Sequence, residues 1–231
     1  MPDRPYVLLS CAVSIDGYLD DATDRRLLLS NDEDFDRVDA VRASCDAIMV
    51  GANTIRRDNP RLLVRSPARR DQRVRDGRSP SPLKVTVTGR GAVDPDAAFF
   101  TVGDNGKVVY TSTAAHAAVV ARVGAAADVV DAGGPLDLHR VVADLAARGV
   151  RRLMVEGGGT LYTQLLAAGL ADELHLVVAP FFVGDSRAPR FVGDGQFPAH
   201  PGDRARLLEN RAIGDCVLLR YGLSGRAPGA R

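Results

Sequence analysis

Asp58, Asn59, Arg61 and Arg65 fall within one short stretch around Pro60, in a chain of 231 residues. A carboxylate, an amide and two guanidinium groups on a turn stiffened by proline suit a polar, anionic small molecule better than a packing role. Just upstream, the apolar run Ala47-Ile48-Met49-Val50 ends at Gly51 and opens into Asn53 and Thr54. An apolar strand followed by glycine and a polar loop is how α/β proteins present a ligand site at strand ends.

A second cluster is Val155-Glu156-Gly157-Gly158-Gly159-Thr160-Leu161, placed between a strand-like run and a helical one. Consecutive glycines let the backbone approach a ligand, and a helix N-terminus aims free N–H groups at an anion, for which a dinucleotide diphosphate is the natural occupant. The competing reading is a tight strand-to-helix turn that needs glycine in any case. The spacing is neither G-x-G-x-x-G nor G-x-x-x-x-G-K-[ST]. Two shorter pieces are Ser14-Ile15-Asp16-Gly17, which taken alone reads as a turn, and Thr88-Gly89-Arg90. Arg90 could pair with the 2′-phosphate that separates NADP from NAD, against the plain alternative of a solvated arginine.

Other chemistries find no support. His116, His139, His175 and His200 lack metal-ligand spacing, so no metal site is expected. The G-x-S-x-G elbow and the H-x-E…P-C-x-x-C deaminase signature are both absent.

The elements that must position these residues follow from pattern. Strand-like runs cover Tyr6–Val13, Ala47–Val50, Leu83–Val87, Lys107–Tyr110, Asp128–Val130, Arg152–Val155, Glu173–Pro180 and Val217–Tyr221. Helical patterns lie between several of them. One follows the S-x-x-E capping box at Ser30–Glu33, with Phe35, Val38 and Val41 at helical intervals. Others span Thr113–Val123, Leu136–Ala147 with Leu138, Val141, Val142 and Leu145 on one face, and Thr160–Ala168. Strands alternating with helices predict a largely parallel sheet. The last two strands, joined by a long loop without helical pattern, predict an antiparallel edge. Ser66–Pro82 holds five Arg, two Asp and three Pro and few large apolar residues, which predicts a mobile surface loop; a basic lid that attracts phosphate is the alternative. One domain over residues 1–223 is expected, with a disordered tail at 224–231.

Bulk composition narrows the class. A net charge of +1 argues against a dedicated nucleic-acid binder, and 5% aromatics without tryptophan against a stacking platform. No apolar run reaches the roughly 20 residues needed to span a bilayer, so no membrane partner is expected. The start M-P-D-R-P does not read as a signal sequence. Three isolated thiols, Cys11, Cys45 and Cys216, fit a reducing cytoplasm.

Together, S-I-D-G at Ser14–Gly17, the stretch Asp46–Arg65, V-E-G-G-G-T-L at Val155–Leu161 and A-D-E-L-H-L-V-V-A-P-F-F-V-G at Ala171–Gly184 resemble the pyrimidine reductases of riboflavin biosynthesis. Those enzymes include the C-terminal reductase domain of the bifunctional deaminase/reductase. The resemblance runs from about Tyr6 to Tyr221. It implies a dihydrofolate-reductase-like α/β fold, with a mostly parallel central sheet, antiparallel C-terminal strands and helices on both faces. It also implies NADPH-dependent reduction of a ribosylamino-pyrimidine 5′-phosphate to the ribitylamino compound.

By the same resemblance, Gly51, Thr54 and Asp58 meet the nicotinamide end of the cofactor, with Asp58 also handling a proton. Gly157, Gly158, Gly159, Thr160 and Leu161 cradle the diphosphate, and Thr88 and Arg90 serve the adenosine side. Ser30, Arg42, Asn59, Leu62, Arg65 and Glu156 face the substrate. A homodimer built through late strands such as Glu173–Pro180 is the implied assembly. The chain departs from the family at Ser10, where lysine is frequent, and at T-G-R, where D-S-R is more usual. Two other readings stay open: a reductase of the same fold acting on a pterin-like, dihydrofolate-like or specialised-pathway substrate, and a non-catalytic nucleotide-binding protein.

Overall fold

Apolar runs between polar, glycine-bearing turns build strands wherever the sequence predicts them. In the computed structural model, which describes residues 4–23, 25 and 27–229, they are joined by helices in the order β1 (Tyr6–Ser14), α1 (Asp32–Ser44), β2 (Ala47–Gly51), α2 (Ala52–Asp58) and α3 (Pro67–Arg75). There follow β3 (Leu83–Thr88), α4 (Ala98–Thr101), β4 (Lys107–Thr111), α5 (Thr113–Val123), β5 (Asp128–Asp131), α6 (Leu138–Ala147) and β6 (Arg152–Val155). The chain closes with α7 (Gly159–Ala167), β7 (Glu173–Ala179), β8 (Arg206–Ile213) and β9 (Cys216–Gly222). No helix among the described residues is long and apolar enough to cross a membrane.

The sequence reading is one domain over 1–223, and within it the chain packs as two compact units. One holds Pro5 and Asp39–Met154, the other Tyr6–Val38 and the chain from Val155 onward. In the first unit the strand order is β5-β4-β3-β2-β6. β2 runs parallel to β3, β3 to β4 and β4 to β5, so their carboxyl ends share one edge, with Gly51 opposite Val87 and Thr88 opposite Thr111. Ala47 to Val50 are at most 1% exposed, as a strand covered on both faces requires. α6 buries Leu138, Val141, Val142 and Leu145, the four residues that the helical period puts on one face. Its start is capped by the Asp137 side chain, which accepts from His139 N–H, and Gly149 beyond its end has φ 85°.

The second unit carries β1-β7-β9-β8, with β1 parallel to β7 and both other pairings antiparallel. β8 lies within what the sequence presents as a structureless connection, because R-L-L-E-N-R-A-I is exposed over most of its length and lacks clean alternation. β7 is bonded on both sides, to β1 and to β9, and its Val177 and Ala179 pack in a buried cluster with Leu29, Ile213, Cys216 and Leu218.

Three readings change. Residues 66–82 contain α3 rather than a mobile loop. Ser66 caps it by accepting from Arg69 N–H, Pro67 stands in its first turn, and Arg73 is 3% exposed. A composition that looks solvated is ordered because Arg73 donates to three backbone carbonyls, of Ser79, Ala43 and Cys45. The tail is docked up to the last described residue: Ser224 Oγ and Arg226 Nη1 donate to the fully buried carboxylate of Asp172, and Ala227 is 3% exposed; residues 230 and 231 lie outside the described residues. At α1 the cap sits one residue later than the S-x-x-E spacing suggests. Asn31 Oδ1 accepts from Asp34 N–H, while Glu33 reaches across to Gly214 N–H.

Candidate active site

The stretch that opens the chemistry is a strand and a helix, not a strand and a loop. Gly51 ends β2 and, extended at φ −71°, precedes α2 without any side-chain cap. Asn53, Thr54 and Asp58, expected on a loop, therefore stand on α2. Asn59 closes that helix in the left-handed region at φ 42°, and Leu62 follows at φ 49°. Two non-glycine residues held there within four positions mark a strained segment over-determined by its surroundings, as binding segments often are.

Contacts from α1 and from Ala98 hold it. Asn59 Oδ1 accepts from Ala98 N–H, and Arg42 Nη1 donates to Leu63 O at 3.2 Å. Asp39, 2% exposed, accepts from the N–H groups of Arg65 and Ser66 and from Arg69 Nη1 at 3.0 Å. Burial raises the proton affinity of Asp39, but those backbone and arginine donors outweigh it and hold the carboxyl below its usual range. Asp39 is the positioning residue that sequence reasoning misses. On a helix reading D-E-D-F-D-R-V-D it looks like one more solvated acid, and only the returning loop gives it partners.

The structure sorts the expected site residues of the first unit. Gly51 and Thr88 stand at neighbouring carboxyl ends of β2 and β3, and Arg90 follows Thr88 by two residues and is exposed. Thr88 itself is 6% exposed. Asp58 and Arg65 are exposed, and Thr54 is half-buried. Leu62 departs from expectation: at 1% exposure its side chain belongs to the packing under the loop and not to a ligand-facing surface. Arg42 is half-buried, and its Nη1 donates to Leu63 O, a bond that helps shape the loop.

In the second unit, Glu156 is half-buried, Gly157 has φ 124°, the Gly157–Gly158 peptide is cis, and Gly158 precedes α7 with no side-chain cap. The first N–H groups of this nine-residue helix thus have no capping side chain, the arrangement that accepts an anion. Leu161 is 3% exposed, so only its backbone can take part. The Ser14–Gly17 motif is a turn, as the bland reading has it. Asp16 accepts from Ser14 Oγ and from the N–H groups of Val183 and Gly184. Desolvation opposes those donors, which prevail and bring its pKa down to about 2. Ser30 donates to Asp34, which in turn binds Arg37 Nε at 2.6 Å.

A family model described as the RibD C-terminal domain matches residues 5–219. The chain belongs to that family. Among similar proteins, the 2,5-diamino-6-ribosylamino-4(3H)-pyrimidinone 5′-phosphate reductase of Archaeoglobus fulgidus is 40% identical over 182 residues, 78% of this chain and 83% of that one. The protein of the same name from Methanothermobacter thermautotrophicus is 36% identical over 96% of this chain and its own full length. In structure, a pyrimidine reductase-like protein from Corynebacterium diphtheriae superposes with a TM-score of 0.81, covering 96% of this chain and 93% of that one at 22% identity, which establishes a shared fold.

Membership in the RibD C-terminal domain family gives the glycine run a concrete test. A Cβ on Gly159 would lie 2.5 Å from the carbonyl oxygen of Arg190, a backbone atom that cannot swing away. Gly159→Ala is expected to cost about 1–3 kcal/mol, as overpacking does, and to weaken dinucleotide binding by displacing the first turn of α7. Thermal unfolding and a fluorescence titration with the reduced cofactor check both; a wild-type midpoint would show that the close approach is not enforced.

Proposed function

We propose that this RibD C-terminal domain reduces 2,5-diamino-6-ribosylamino-4(3H)-pyrimidinone 5′-phosphate at the ribosyl C1, with NADPH, to the open-chain ribitylamino compound. The observation that carries the reading is the extent of likeness to reductases so named, 40% identity across 83% of one and 36% across the whole of another. The bare α7 terminus fits a dinucleotide diphosphate: Gly158 supplies no side chain, and Gly159 has no room for one. NADPH supplies the hydride, and the protein's part is alignment and charge placement.

In this reading Gly51, Thr54 and Asp58 border the nicotinamide, Gly157 to Leu161 hold the diphosphate through backbone N–H groups, and Thr88 and Arg90 take the adenosine side. Exposed Arg90 is the group suited to a 2′-phosphate, which supports NADPH over NADH. Arg65, whose backbone Asp39 fixes while its guanidinium stays exposed, grips the substrate phosphate. Asn59, Glu156 and Ser30 complete the substrate side. Asp58 delivers a proton toward the ring oxygen as the sugar opens. The reading includes a cytoplasmic homodimer, for which Leu207 and Val217, exposed on the β8–β9 hairpin, offer apolar surface.

The deciding experiment mixes purified protein with NADPH or NADH and with the diamino or the deaminated ribosylamino-pyrimidine phosphate, and follows cofactor absorbance. Oxidation of NADPH by the diamino compound, faster than in the other three combinations, is the expected result. No oxidation with either pyrimidine would end the assignment, and cofactor binding without turnover would favour a nucleotide-binding protein.

A further inference from the structure

The parallel strands of the first unit also have an amino edge. Asp46 directly precedes β2 and Gly106 directly precedes β4, and with Arg73, Arg78, Ser79 and Ser81 they line a cavity of about 260 Å³. The five-residue strand β2 separates Asp46 at this edge from Gly51 by roughly 16 Å at about 3.3 Å per residue. The volume lies below the roughly 300–1,000 Å³ of pockets that take drug-sized ligands, and a water occupies about 30 Å³. It therefore suits an ion with a few waters.

Arg73 is the unusual wall. It is 3% exposed, and its Nε and Nη1 protons go to three neutral acceptors, the carbonyls of Ser79 at 2.8 Å, Ala43 at 2.8 Å and Cys45 at 2.7 Å. Its Nη2 protons have no acceptor among the described residues, and no carboxylate bonds it. Arg78 brings a second guanidinium to the same cavity, its own carboxylate partner Asp76 standing 3.5 Å away. Burial, and then the charge of Arg78, lower the proton affinity of Arg73, as expected for two cations facing a common space. Ser81 Oγ accepts from Val64 N–H, which leaves its own proton to donate.

One wall is an acceptor. Asp46 Oδ2 takes the N–H groups of Arg151 and Arg152, both at 2.9 Å, and Oδ1 has no donor among the described residues. An occupant must therefore accept from two guanidiniums and a hydroxyl while donating one proton to a carboxylate. Phosphate at neutral pH carries at least one proton and meets both demands. Sulfate carries none, and would set an oxygen lone pair against the Asp46 carboxylate. We propose that this amino-edge cavity is a binding site for inorganic phosphate, gripped by Arg73 and Arg78 and selected by Asp46. The helix α3 runs from Pro67, capped by Ser66 next to Arg65, to Arg75, so phosphate bound here anchors the far end of the helix that follows the substrate loop.

Isothermal titration of the whole protein with sodium phosphate and with sodium sulfate, at matched ionic strength, tests the site. The wild type should show a saturable phosphate site that binds sulfate at least about tenfold more weakly, since a lost charge-assisted hydrogen bond is worth about 1.5–3 kcal/mol. Arg78→Met should weaken phosphate by about tenfold or more on the same grounds, Arg65→Met should leave it unchanged, and Asp46→Asn should narrow the gap between the two anions. Absence of saturable phosphate binding overturns the proposal. So does equal affinity for sulfate, or binding that survives Arg78→Met and vanishes in Arg65→Met, which would put the ion at the substrate loop. Circular dichroism establishes that each variant is folded; should Asp46→Asn fail to fold, the wild-type preference for phosphate over sulfate decides selection by itself.

Discussion

Asp58→Asn is expected to lower turnover by about a hundredfold or more while leaving NADPH affinity within about threefold, since positioned proton transfer contributes roughly 10²–10⁴ to a rate. Opening the ribosyl ring leaves charge on the ring oxygen as C1 receives hydride, and a carboxyl group can deliver the proton that oxygen needs. Asn keeps the size and hydrogen-bonding reach of Asp but cannot serve as that acid. The position is suited to the task because Asp58 ends α2, directly before the left-handed Asn59, and the loop beyond is pinned by Asp39 and Arg42. The acid thus stands on the last turn of an ordered helix and not on a free loop. A steady-state comparison of kcat with a direct cofactor titration separates the two effects. Wild-type kcat in the variant would remove Asp58 from the chemistry, and a parallel fall in affinity and kcat would make it a cofactor contact only.

Glu173→Ala should cost about 3–5 kcal/mol, the range for breaking a buried ion pair. Glu173 is 1% exposed in β7. Its carboxylate accepts from Tyr6 Oη at 2.6 Å and from Arg220 Nη2 at 2.6 Å, and stands 2.8 Å from His175 Nε2. Removing it leaves Arg220 with Glu209 as its one remaining carboxylate partner and the 4% exposed His175 beside Arg37. Desolvation alone would raise the Glu173 pKa, but His175, Tyr6 and Arg220 prevail and lower it from 4.5 to about 2.

An acid depressed in this way contributes stability that is complete above pH 4.5 and is lost as pH falls toward 2, an effect of about 3 kcal/mol. His175 acts in the same direction at an earlier stage. Burial first, with Arg37 and Arg220, holds its pKa below 6.5 despite Glu173, so its contribution begins to be lost as pH drops below 6.5. Chemical denaturation of the wild type should show stability falling from near pH 6 and more steeply below 4.5. Glu173→Ala should flatten the lower part of that curve, and an unchanged slope there would assign the acid transition to other carboxylates.

How far the sequence carries the fold depends on where the information lies. Alternating and continuous apolar runs place β1 to β7 and β9 within a residue or two, because burial of a strand face is written in the strand itself. α5 and α6 are read equally well, since period and capping are local. The same cannot be said of α3. Its residues are so polar that nothing local distinguishes an ordered helix from a solvated loop, and the deciding bonds, from Arg73 to Ala43 and Cys45, come from some thirty positions away. β8 escapes notice for a related reason, since its order comes from pairing with β9 and not from its own pattern.

The candidate site divides along the same line. Motif order and residue type are enough to single out Asp58, Arg65 and the glycines of Gly157–Gly159, because the chemistry of an anionic ligand restricts which side chains, or lack of side chains, can serve. The resemblance carried by those motifs agrees with the family match over residues 5–219. Only the tertiary structure decides that Leu62 is packing, that Arg42 shapes a loop, that Asp39 holds the backbone beneath Arg65, and that Gly159 must be glycine because the Arg190 carbonyl passes 2.5 Å from its missing Cβ. Each of these depends on a partner distant in the chain. A residue's own type states what it can bond, and the folded chain states what is left for it to bond.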